Sequence, residues 1–165
     1  MTRALAILCV LSVFFVAAFG EKAFSAETHT ALMAHDAWAP PSLDGANVGV
    51  AFTMLMNHSD VPIEITALSS PVAKTVELHD HVSEGGKVKM RRVEKIVIPA
   101  QGTLNMKPGG LHLMLIGLTQ PLKDDSTITI DITAKGSAVQ KVSFTVSQAR
   151  LIEALKSRSN SAHEH

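Results

Sequence analysis

Cysteine is almost absent from this chain: the only one, Cys9, lies inside an apolar run near the start. It comes too early for a lipid-attachment cysteine, and everything downstream is cysteine-free. That excludes disulfides, thiol redox chemistry, a thiolate nucleophile and every cysteine-ligated metal centre. Aromatics are also scarce, with six Phe, one Trp and no Tyr, so stacking platforms for nucleic-acid bases are missing. Neither sign of charge is in excess, 15 Lys and Arg standing against 15 Asp and Glu, and nothing draws the chain to nucleic acid or anionic lipid. No G-x-S-x-G or phosphate-loop motif occurs, and Asp124-Asp125 sits in a turn-like segment without a catalytic partner. Hydrolytic chemistry has no support, and the chain reads as a non-enzyme.

What is present begins with an export signal. Arg3 is followed by an apolar run from Ala4 to Phe19 and then by small residues suited to cleavage. The form is that of a signal peptide over residues 1–25, cut after Ser25, so the mature protein carries no membrane insertion. Cleavage leaves 13 cations against 14 anions, again near neutrality. At 165 residues in all, one domain is expected, over residues 26–147. A C-terminal helix and tail follow over residues 148–165.

Short β-like runs fill the middle of the chain. They cover residues 30–38, 47–57, 61–70, 74–82, 87–99 and 108–117, and a closing hairpin turns around Lys135-Gly136. Residues 83–86, Ser-Glu-Gly-Gly, read as a hairpin connection. About eight strands at this spacing predict an antiparallel sandwich or barrel. Only residues 147–158 have helical spacing, with Ser147 as N-cap.

Histidine and methionine carry the remaining signal, with eight and seven copies. Met33, Met54, Met56 and Met106 are expected as core filler, His58 as a solvated turn residue, and His35 has no clear role. Residues 108–117 are different. Alternation puts Leu111, Leu113 and Leu115 on one face of a strand, His112 and Met114 on the other. Alone, that pair reads equally well as a satisfied histidine beside a core methionine. His79 adds weight, since it shares the polar face of the 74–82 run with Glu77 and His81. The 83–86 hairpin also returns Met90 toward His79. Two imidazoles and two thioethers would then converge at one end of the sandwich. Thioether sulfur suits Cu(I) and is a poor ligand for Mg²⁺, Ca²⁺ or Zn²⁺.

The spacing His79, ten residues, Met90, twenty-one residues, His112, one residue, Met114 resembles the H-x10-M-x21-H-x-M signature of the periplasmic copper chaperones called PCuAC. So do "HDAWAP", "VELHDH" and the long run from Met90 to Leu122, and the likeness covers residues 32–146. One departure stands at Trp38-Ala39-Pro40, where the family usually has an Arg shortly after the Trp. The resemblance implies an all-β, cupredoxin-like Greek-key β-sandwich with a short C-terminal helix or tail. It implies one Cu(I) per chain, held by His79, Met90, His112 and Met114. It also implies periplasmic delivery of copper to the CuA centre of cytochrome c oxidase subunit II, alongside a Sco-like thioredoxin-fold protein.

His81 reads as a rim residue or an auxiliary ligand. His163 and His165, flanking Glu164, are auxiliary candidates for Cu(II), which takes imidazole and carboxylate readily. Three rivals stand beside delivery: copper sequestration or resistance on the same fold, a metal-free β-sandwich interaction domain, and copper oxidation chemistry. A shell with two thioethers argues against the last.

Overall fold

The computed structural model describes residues 31–161, with side chains to Ser159. The expected signal peptide and the tail histidines His163 and His165 lie outside these residues. Ten strands form: β1 (Leu32–Ala39), β2 (Val48–Asn57), β3 (Ile63–Ser69), β4 (Ala73–Glu84), β5 (Lys87–Arg92), β6 (Ile96–Ile98), β7 (Thr103–Asn105), β8 (His112–Leu118), β9 (Thr127–Ala134) and β10 (Gln140–Val146). One helix, α1 (Gln148–Ser161), follows. No helix among the described residues is long and apolar enough to cross a membrane.

The strands run β5-β4-β8-β2-β1-β10-β9-β3-β6, with β7 also on β2. β1 and β10 are parallel, whereas the β2–β8, β4–β8 and β4–β5 pairs that matter below are antiparallel. β2 serves both layers: Val48–Ala51 pair with β8, while Phe52 and residues 54–57 pair with β1. Between the layers, Val76, Leu78, Leu113 and Leu115 pack with Ile130, Ile132, Phe144 and Val146, all nearly inaccessible to solvent. The result is the expected cupredoxin-like Greek-key β-sandwich with a short C-terminal helix. With no disulfide to restrain the chain, apolar burial and the sheet ladders hold it together.

Polar groups also pin the frame. Asn57 is buried, and its amide nitrogen donates to the carbonyls of Val61 (2.8 Å), Ile98 (3.2 Å) and Pro99 (2.8 Å). Its Oδ1 accepts from the backbone N–H and hydroxyl of Ser59 at 2.9 and 2.7 Å. Ser147 caps α1, accepting from the Arg150 N–H at 3.3 Å. Arg150 reaches back over the Trp38 ring, 5.1 Å from its centroid, and pairs with Asp36 at 2.7 Å.

Two expectations need correction, and one strand had none. Residues 87–99 are not one strand: β5 stays with β4, the chain crosses the sandwich at 93–95, and β6 pairs with β3 in the other layer. The crossing is anchored where the Val93 N–H donates to the Leu78 carbonyl at 2.8 Å. The short β7 had no apolar run long enough to announce it. Finally, of the four methionines expected in the core only Met106 is there; Met54 and Met56 are half-buried and Met33 is 45% exposed.

Candidate metal centre

The β4–β5 hairpin turns through Gly85-Gly86, both at positive φ (59° and 75°), the backbone shape a two-residue I′ turn demands. Glu84 and Lys87 are therefore paired, and the rest of the register follows: His81 opposite Met90, and His79 opposite Arg92. On its other edge β4 pairs with β8, setting His79 opposite His112 and Glu77 opposite Met114. Directly opposed residues share a face, as do residues two apart along a strand. Glu77, His79, His81, Met90, Arg92, His112 and Met114 therefore form one patch across three strands. Met90 faces His81 directly and reaches His79 only on the diagonal, one pair further along than the hairpin alone suggested.

The imidazoles are held in defined states. His112 is 2% exposed, and its Nδ1 lies 2.8 Å from the Gly110 carbonyl. A carbonyl only accepts, so Nδ1 carries the proton and Nε2 keeps the lone pair. That Nε2 is buried with no hydrogen-bond partner. His79 is arranged in reverse: its Nε2 lies 2.8 Å from Glu77 Oε2, and its Nδ1 is the buried atom without a partner. Glu77 is steadied in turn by Arg92 at 3.1 Å. Buried polar atoms are normally paired, so two bare imidazole nitrogens on one patch are an exception with a chemical meaning. Each ring has one N–H anchored to an oxygen and the opposite nitrogen free, which is how a metal-binding histidine is oriented.

Burial pushes the His112 pKa down, against the opposing pull of the Gly110 carbonyl; the nearby His81 and His79 push the same way as burial, and Asp80 opposes them. The ring accordingly stays neutral with its lone pair available.

His81, a rim residue or auxiliary ligand by its sequence position, has its ring centroid 5.0 Å from that of His112, nearer than the 6.1 Å separating His79 and His112. Its Nδ1–H also donates to the Gly110 carbonyl, at 3.2 Å. The two thioethers differ in access. Met114 is half-buried beside Val50 of β2, whereas Met90 is 52% exposed on the edge strand β5. Among the described residues no three His, Cys, Asp or Glu side chains converge as a metal site of those donors alone.

Two contributors went unassigned in the sequence. Glu77 was visible on the same face as His79, a carboxylate two residues before a histidine in a strand. Gly110 had no signal, since its contribution is a backbone oxygen aimed by the turn at residues 107–110, where Gly109 sits at φ 86°.

The family described as "Putative lipoprotein LpqE-like" matches residues 32–146. A curated protein of Leifsonia xyli subsp. xyli, "Putative lipoprotein Lxx21020", is 28% identical over 103 residues, covering 62% of each chain. The chain thus spans about three-fifths of that relative's length. Among solved structures, the Cu(I) form of DR1885 from Deinococcus radiodurans is 30% identical, with a TM-score of 0.59 over 75% of this chain and 83% of that one. The copper-bound PCuAC domain from PmoF2 superposes with a TM-score of 0.60 over 71% and 92% at 16% identity, a likeness of fold alone.

Proposed function

Because the chain belongs to the LpqE-like family and is folded as a PCuAC domain, we propose that it is a copper chaperone, exported and working in the periplasm. The observation that carries the reading is the pair of buried, partnerless nitrogens, His79 Nδ1 and His112 Nε2, on one face with two thioethers. In this reading one Cu(I) is the cargo, bound by His79, Met90, His112 and Met114. The copper forms of DR1885 and of the PmoF2 domain support copper as the metal. The lipoprotein names of the family and of the curated relative support export.

The donor set explains a carrier better than a catalyst. Neutral imidazole and thioether leave the charge of Cu(I) uncompensated and so favour it over Cu(II). His112, Met114 and the Glu77-anchored His79 form the sheltered side of the site, and Met90 on the edge hairpin forms the open side. A recipient approaching from solvent displaces Met90 first and takes the ion by stepwise ligand exchange. We propose the CuA centre of cytochrome c oxidase subunit II as recipient, with a Sco-like thioredoxin-fold protein as co-worker.

His163 and His165 enter as an auxiliary Cu(II) group. The Arg158 guanidinium packs within 4 Å of where a Cβ on Gly109 would stand, so the last turns of α1 run close to the turn that anchors His112. A chain ending at Arg158 should lose any Cu(II) binding and retain Cu(I).

The deciding experiment is an anaerobic Cu(I) competition titration against a chromophoric chelator, with wild type beside Met90→Leu/Met114→Leu. Loss in the variant of one tightly bound equivalent is expected. Equal binding by both proteins would overturn the ligand set.

A further inference from the structure

The β1–β2 ladder carries a second group of soft donors that the site above does not use. Its register pairs Met33 with Met56 and His35 with Met54. Cross-strand partners on one face stand roughly 5 Å apart at Cβ, and residues two apart along a strand share that face. Three thioethers and one imidazole therefore occupy the corners of one small rectangle. The opposite face of β2, carrying Ala51, Thr53, Leu55 and Asn57, is the buried one, so the rectangle looks outward. Met33 and His35 are exposed and Met54 and Met56 half-buried.

Packing does not account for these residues. On β9 and β10 the outward positions are polar: Thr127, Thr129, Asp131 and Thr133, with Lys141, Ser143 and Thr145. Among the described residues, only here do the outward positions of two neighbouring strands hold three methionines. Of the six methionines beyond Met1, two lie in the site above, one is in the core, and the other three are in this rectangle. Its edge is firm on the β1 side, where the Thr53 hydroxyl donates to the His35 carbonyl at 2.9 Å, just before the register shift. On the β7 side the residues level with Met56 and Met54 are Thr103 and Asn105, both uncharged.

We propose that Met33, His35, Met54 and Met56 form a second binding site for a soft monovalent cation, Cu(I) or its analogue Ag(I). Neutral sulfur with a single imidazole selects such an ion over Zn²⁺, Mg²⁺ or Ca²⁺. The site is separate from the first. Val50, opposite Met114, and Met54 are four residues apart on β2, about 13 Å at the rise of an extended strand, too far to share an ion. The inference rests on the β1–β2 register and stands whether or not His79 and His112 bind copper.

The test uses the mature protein labelled with ¹³C at its methionine methyls, titrated with Ag(I) and followed by NMR. Two saturable equivalents are expected, one moving Met90 and Met114 and the other moving Met33, Met54 and Met56. Met33→Leu/Met54→Leu/Met56→Leu should take up one equivalent fewer, and Met90→Leu/Met114→Leu should keep the Met33, Met54 and Met56 shifts. His35→Gln, at an exposed position that the fold does not need, should weaken only the equivalent at this rectangle. Methyl signals of Met33, Met54 and Met56 that stay still through two equivalents overturn the proposal. So does a wild-type stoichiometry in the triple variant.

Discussion

The Nδ1 of His112 and the carbonyl oxygen of Gly110 lie 2.8 Å apart, and that bond decides which nitrogen of the ring keeps its lone pair. With Nδ1 donating, Nε2 is left bare inside a patch that also holds His79 Nδ1, Met90 and Met114. Because the acceptor is a backbone atom, the arrangement depends on the turn at residues 107–110 and on no neighbouring side chain.

The first prediction concerns pH. Burial lowers the folded-state pKa of His112 below its ordinary 6.5, so the unfolded chain binds more protons as pH falls past that value. The metal-free protein should keep its full stability above pH 6.5, lose some between 6.5 and the lowered His112 pKa, and level off below. Melting temperature of wild type and His112→Gln, followed from pH 7.5 to 4.5, checks this. Parallel curves would show that His112 does not carry the slope.

Glu77 holds His79 and is itself held by Arg92. Replacing an anchor of this kind costs about 10- to 100-fold in metal affinity. Glu77→Gln should therefore weaken Cu(I) by at least about tenfold at unchanged stoichiometry. Melting of the metal-free protein should move little. An affinity equal to wild type would remove Glu77 from the site.

Arg150 joins α1 to the sandwich through Trp38 and Asp36. Arg150→Ala should cost about 1 kcal/mol, the sum of an exposed cation–π contact and a solvent-screened ion pair. The Arg150 hydrogen bond and charge hold the Asp36 carboxyl below its ordinary 3.8, with slight burial opposing. The ion-pair share is thus present above pH 3.8 and fades as pH falls through the lowered value. Denaturant melts of both proteins at neutral and strongly acidic pH should show the gap narrowing with acid.

Asn57 satisfies three carbonyls from inside the fold. Asn57→Ala should destabilise by about 3 kcal/mol, because buried acceptors lose their donor. Cu(I) affinity of the surviving folded protein should be unchanged, since Asn57 touches none of the site residues. A variant as stable as wild type would mean that water replaces the amide at no cost.

The sequence by itself determined which residues could share a face. Alternation in β4 and β8 grouped Glu77 with His79 and His81, and His112 with Met114, and Gly85-Gly86 set a tight hairpin. Side-chain direction in a strand has a period of two, a local property that needs no knowledge of neighbours. The spacing of His79, Met90, His112 and Met114 added the family likeness.

Which face meets solvent, and which strands lie side by side, only the tertiary structure decided. Met54 and Met56 sit in a run apolar on both sides, so nothing local said that Leu55 would turn inward and the methionines outward. The break at residues 93–95 depends on β6 finding β3 in the opposite layer. The facing of His79 and His112 depends on β8 lying against β4, strands separated by three others in the chain. Long-range pairing is chosen by the burial of the whole core, a sum over residues far apart in sequence, and no short window contains it.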